Sequence, residues 1–154
     1  MSYISLQRQY GRLLIVSFLF LFLFMDNVVA RDKKVVFYRE SGEILCAFTV
    51  ELAVTEYEQA KGLMFRKSMP KKQGMLFIYQ DEDIRCYWMK NTYIPLDIIF
   101  IDSGLTVVDI YRNAKPLDET TIVSRGKAKY VLEINSGEAD RCRIKKGTKL
   151  SIKE

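Results

Sequence analysis

Histidine is absent from all 154 residues. That removes Ser-His-Asp and Cys-His catalysis, His-ligated zinc and any imidazole general base. Cysteine is scarce: Cys46, Cys86 and Cys142 lie far apart, with no C-x-x-C pair. One disulfide with a leftover thiol is open to an exported chain. Cys46 and Cys86 fall inside strand patterns, however, so the three cysteines read as small buried hydrophobes. On that reading the fold does not depend on a disulfide, and reduction leaves its melting temperature nearly unchanged. The eight glycines mostly sit where turns are wanted; none builds a phosphate loop, and nothing repeats internally. Basic charge is present but not massed. The formal net charge is +5, and the densest pairs, Lys71-Lys72 and Lys145-Lys146, read as solvated turns. No nucleic-acid partner is expected from this pattern. Asp81-Glu82-Asp83 lacks the glycine and spaced oxygens of a calcium loop, so no metal and no cofactor are expected.

One long apolar run is present. Leu13 to Met25 is interrupted only by Ser17 and preceded by Arg8 and Arg12. As a helix it would span about 20 Å, short of the roughly 30 Å hydrocarbon thickness of a bilayer. Val28-Val29-Ala30 follows with small residues where a signal peptidase reads. Residues 1–30 therefore read as a secretory signal peptide, with a retained membrane anchor as the alternative. The expected location is periplasmic or extracellular, and the membrane is a partner only if this segment stays uncleaved. The remaining piece, 31–154, reads as one domain, expected to act as a monomer. A domain of that size buries roughly two-thirds of its unfolded surface without needing staples.

Along this piece, short apolar alternations dominate. Ile44, Cys46, Phe48, Val50 and Leu52 share one face of a strand while Thr49 and Glu51 point away. Val35 to Tyr38 reads as its partner across Ser41-Gly42. Thr55 and Glu58 stand at capping-box spacing, and Gly62 is placed to end the helix they begin, which should deliver Leu63, Met64 and Phe65 to the core. Strands are expected at 74–80, 87–91, 96–101, 106–112 and 128–134, the fourth and fifth of these flanking a loop-like stretch. Ser136 is placed to cap a short helix through Cys142, and a last strand ends the chain. The pattern predicts a mainly β, compact sandwich or barrel with one or two short helices.

The stretch CYWMKNTYIPLDIIFID, 86–102, carries polar groups inside an apolar run. Asp97 is flanked by residues that look buried on both faces, and an ionised carboxylate there is costly unless paired. Lys90 and Arg66 are the candidate cations. Trp88 and Lys90 would share one strand face, with Met89 and Asn91 on the other. Glu133, in Val131-Leu132-Glu133-Ile134, is a second carboxylate trapped in a strand. Two readings stand side by side. These groups form a buried polar network tying β-layers together, or they line a pocket beside Trp88 and Met89 whose few polar groups orient a ligand.

The segments GLMFR (62–66), GMLF (74–77), WMKNT (88–92), PLDIIFID (95–102) and YVLEI (130–134), in this order, resemble the DUF192 family of uncharacterised, often exported proteins. The resemblance runs from about Phe48 to Leu150. It implies a compact β-sandwich-like fold with jelly-roll character and implies no activity. It places the family's signature positions at Gly62, Met64, Arg66, Trp88, Met89, Lys90, Asn91, Thr92, Pro95, Asp97 and Glu133. Cys86-Tyr87 before the tryptophan and the stretch NAKPLDETTIVSRG depart from the family pattern. The reading that follows is a non-enzymatic exported binding or accessory module for a small polar ligand or peptide. Its candidate site comprises Arg66, Trp88, Met89, Lys90, Asn91, Thr92, Asp97 and Glu133. The alternatives are a histidine-independent enzyme using Asp97 or Glu133 with Lys90, and an envelope assembly factor that binds a partner through an exposed strand.

Overall fold

The computed structural model describes residues 33–154. The expected signal segment lies outside the described residues. Strands dominate: β1 (Lys33–Tyr38), β2 (Ile44–Ala53), β3 (Gln73–Asp83), β4 (Cys86–Tyr87), β5 (Leu96–Ile101), β6 (Val107–Ala114), β7 (Ile122–Val123), β8 (Ala128–Asn135) and β9 (Lys149–Lys153). Two short helices, α1 (Glu56–Lys61) and α2 (Glu138–Arg141), complete the set. The expectation of a mainly β, sandwich-like domain holds.

Seven strands form one sheet in the order β6-β5-β8-β3-β2-β1-β9, and β4 and β7 form a separate two-stranded ribbon. The large sheet curls until its two edges meet. Thr106 and Lys149 form a bridge, and the Val107 and Leu150 amides donate to Thr148 and Leu105 carbonyls at 3.0 and 3.1 Å. The curl gives the sheet two apolar faces. The concave face carries Val35, Phe37, Phe48, Val50, Leu76, Ile99, Ile101 and Leu132, closed by Ala139, Cys142 and Ile144 from around α2. The convex face of β3, β5 and β8 carries Met75, Phe77, Ile98, Phe100 and Val131, covered by Leu63, Met69, Met89 and Ile94 from the connecting segments. Every residue of β5 is buried, because that strand has core on both sides.

The cap of α1 forms as its sequence predicts: the Glu58 amide donates to Thr55 Oγ1, and Glu58 accepts from the Thr55 amide at 2.8 Å. Gly62 follows with φ +45. Leu63 enters the core, but Phe65 turns outward at 57 % exposure, against expectation. It stands in a left-handed backbone conformation, φ +65, which swings its ring off the apolar face toward Tyr93. The α1 crossover joins β2 to β3 as a parallel pair.

Three further expectations are corrected. Residues 87–91 do not continue as a strand: β4 stops at Tyr87, and Asn91 takes φ +54 in a turn closed by the Thr92 amide on the Met89 carbonyl, 3.1 Å. Ser136 does not cap α2, whose N-cap is Gly137 without a side-chain cap. Most consequentially, Cys46 and Cys142 form a disulfide, with Cα atoms 5.6 Å apart. The alternation of β2 does point Cys46 inward, but its partner comes from 96 residues away in sequence, a pairing that spacing cannot announce. Lys72 lies over this bond, its Nζ 2.7 and 3.0 Å from the two sulfurs and 3.3 Å from Glu138. Lys71-Lys72 is therefore not simply a solvated turn.

The end of α2 has an unusual occupant. The Ile144 amide donates to the Ala139 carbonyl and the Arg143 amide to the Asp140 carbonyl, both 2.9 Å. This is a Schellman closure, in which the left-handed position is normally glycine. Here Arg143 takes it, with φ +53, at a cost of about 1–2 kcal/mol.

Candidate functional site

The β-layers place the two trapped carboxylates on opposite faces of the sheet. Asp97 pairs in register with Ile134 and is fully buried on the concave side. Its oxygens accept the backbone amides of Asn113 and Ala139, each at 3.0 Å. Ala139 is the second residue of α2, so Asp97 supplies from a neighbouring strand the cap that Ser136 does not give. The buried-network reading of Asp97 is thus right in kind and wrong in its partners. Arg66 instead grips Glu51 with both guanidinium arms, at 2.7 and 2.5 Å, and that hydrogen-bonded pairing holds the Glu51 carboxyl below its usual range. Lys90 rests its ammonium 5.0 Å over the Trp88 ring.

Replacing Asp97 with Ala leaves two amides without acceptors, one of them buried, and should cost about 2–4 kcal/mol at about 1–3 kcal/mol per orphaned group. A double-mutant cycle with Lys90→Ala or Arg66→Ala should show no coupling beyond about 0.5 kcal/mol. Denaturant melts of the four proteins check this, and a coupling above about 1 kcal/mol would contradict the backbone-only assignment.

Glu133 pairs in register with Met75 on one side and Ile98 on the other, which points it to the convex face. There it lines a cleft of about 220 Å³ together with Gln59, Leu63, Tyr79, Tyr87, Trp88 and Thr92. Glu133 is only 5 % exposed. Among the described residues no hydrogen bond or ion pair reaches its carboxyl, and burial pushes it up to about 8. Tyr87 and Tyr79 share a hydroxyl contact of 2.8 Å. Burial raises both phenols above their ordinary value. Tyr87 is fixed by edge-on packing against Phe77 and Phe100, with centroids 5.4 and 5.9 Å away. Tyr79 is held by the Arg85 guanidinium 3.9 Å over its ring. Trp88 stands at the rim, 47 % exposed.

Of the eight site residues read from the sequence, Trp88, Thr92 and Glu133 come together in this cleft. Met89 is core, and its amide on the Asp118 carbonyl, 2.8 Å, ties the turn to the loop above. Asn91 serves through its backbone, its carbonyl accepting the Phe65 amide at 2.7 Å. Lys90, Arg66 and Asp97 do not line the cleft. Acid–base work by a carboxylate pair therefore lacks its second member, since Asp97 faces the other side of the sheet. Sequence reasoning missed Tyr79, Tyr87 and Gln59, because a tyrosine alternating with core phenylalanines reads as core. Cys86, a departure from the family pattern, lines the cleft as a free, exposed thiol. Among the described residues no group of His, Cys, Asp or Glu gathers to hold a metal ion.

The described chain is thus a small curled β-sheet domain with a buried, partnerless carboxyl, Glu133, under an aromatic-walled cleft. The chain belongs to the DUF192 family, described as "Uncharacterized ACR, COG1430", whose model matches residues 35–152. It is similar to a solved protein of unknown function from Novosphingobium aromaticivorans DSM 12444, at 45 % identity and TM-score 0.72. That match covers 77 % of this chain and 83 % of the other. It is also similar to a solved protein from Sinorhizobium meliloti 1021 named as a candidate transcription regulator, at 39 % identity and TM-score 0.76, covering 82 % and 97 % of the two chains. No curated protein matches.

Proposed function

We propose that the chain is an exported, non-enzymatic binding module whose cleft takes a small, uncharged polar group, with Glu133 as its deep hydrogen-bonding partner. Export rests on the amino-terminal pattern of residues 1–30. The observation that carries the binding reading is Glu133, a buried carboxyl without a partner. Burying a polar group without a hydrogen bond is costly, and a ligand that supplies one offsets that cost on binding. Near neutral pH this carboxyl holds its proton. It then presents a donor and an acceptor side by side, the complement of an amide, a carboxylic acid or a pair of hydroxyls. The cleft is smaller than the roughly 300–1,000 Å³ of drug-sized pockets, so the ligand, or the part of a peptide that enters, is small.

Trp88 is the chain's single tryptophan, so its indole N–H is an unambiguous reporter at the rim. Titration with acetamide, followed by amide and indole NMR shifts, should perturb Trp88 and Thr92 together. Glu133→Leu should abolish the effect, and Glu133→Gln, which keeps a donor and an acceptor, should retain it within about tenfold. Shifts that persist unchanged in Glu133→Leu would sink the assignment.

A further inference from the structure

We infer that a second, separate site, the groove between the β1–β2 turn and the Arg143–Lys149 segment, binds a phosphate-bearing group. The groove encloses about 500 Å³ and shares no lining residue with the Glu133 cleft. Its walls carry Arg39, Arg143, Lys145, Lys146 and Lys149 against a single carboxylate, Glu40. Arg39 is already engaged with Glu43 at 3.2 Å. The other four cations have no ion pair or side-chain hydrogen bond among the described residues. Among the described residues every other arginine has a carboxylate partner: Arg66 has Glu51, Arg85 has Asp81, Arg112 has Asp140, Arg125 has Asp109 and Arg141 has Glu138, so Arg143 is the exception. Lys145 and Lys146 also line the adjoining depression beside Arg112 and Arg125, which extends the positive field without adding free anions.

Two features favour a bound oxyanion over a solvated basic turn. The groove is concave, so low-dielectric walls concentrate the field of its charges. Its floor includes Tyr38 and Leu45, apolar surface suited to the organic part of a phosphate ester. Arg143 adds an independent argument. The Schellman position it occupies favours glycine, so a cation sits there against the backbone's preference. Planar, five-donor guanidinium is the group best matched to phosphate oxygens.

That strain also supplies the test. Arg143→Gly relieves the backbone, so the variant should melt at or above the wild-type temperature while losing a phosphate ligand. In calorimetric titration of the full-length protein with pyrophosphate, Arg143→Gly should weaken binding about ten- to a hundredfold, the scale of one charge-assisted hydrogen bond. Lys145→Gln with Lys146→Gln, both on the exposed turn, should weaken it as well. Lys67→Gln, the same charge change outside the groove, should leave it within about twofold. A parallel titration with phosphatidylglycerol vesicles separates the sources of the phosphate. Sensitivity to Arg143→Gly with vesicles alone assigns the groove to a lipid headgroup, and with pyrophosphate to a soluble ester. Equal weakening by Lys67→Gln, or no response to Arg143→Gly with either probe, would overturn the site.

Discussion

Reduction of the Cys46–Cys142 bond will lower the stability of the domain by about 2–5 kcal/mol, the range for a native disulfide in a small secreted domain. The bond ties β2 to the segment after α2 across 96 residues. In the chain-entropy model a loop of that length restricts the unfolded ensemble by about 4–5 kcal/mol. The bond also sits where two elements must meet: β2 lines the concave core, and Cys142 closes it beside Ala139 and Ile144. Thiol counting makes the experiment clean. Cys86 is free and exposed, so the oxidised protein should titrate one thiol and the reduced protein three. Urea melts with and without reductant then measure the loss. An unchanged midpoint in protein shown to carry three free thiols would restore the reading of these cysteines as mere buried hydrophobes.

Glu133→Gln will stabilise the domain in alkaline solution and flatten its pH dependence. The folded-state value of Glu133 is raised from 4.5 to about 8. Between those values the native protein holds a proton that the unfolded chain has released. Stability therefore falls as pH rises through this window, is free of the penalty below about 4.5, and carries all of it above about 8. The full penalty is about 3–5 kcal/mol at 1.36 kcal/mol per unit. The two phenols beside it do not blur the window, since Tyr79 and Tyr87 are pushed above their ordinary range. Wild type and Glu133→Gln should converge in mild acid and separate progressively toward alkaline pH. Parallel stability curves across the window would show that the Glu133 carboxyl is solvated or paired.

The strands were legible wherever one face is buried, because alternation such as Cys46-Phe48-Val50 leaves little freedom of assignment. The capping box of Thr55 and Glu58 was equally plain, since both reciprocal hydrogen bonds are local. What spacing did not carry was long-range or conformational. WMKNT reads as a strand until Asn91 turns left-handed. Asp97 asks for partners, and the sequence offers conspicuous cations, whereas the fold supplies backbone amides from 16 and 42 residues away. The cleft was half legible. Glu133 stood out as a carboxylate in an apolar strand and Trp88 as part of a signature, but the tyrosines that wall it are indistinguishable from core until the fold brings Tyr87 of β4 against Tyr79 of β3.

The meeting of Thr106 with Lys149 has a consequence for how this protein keeps company. An open sheet offers unpaired amides and carbonyls along its outermost strands, an invitation to neighbouring copies and to extended peptides alike. Here the outermost strands β6 and β9 close on one another where β6 begins, and beyond the closure Arg112 reaches from β6 to the Ile144 carbonyl at 2.9 Å. At that end the main sheet has its edge hydrogen bonds spoken for, from Leu105 to Val107 on one side and Gly147 to Leu150 on the other. Along that stretch the folded domain offers a growing fibril little main-chain purchase.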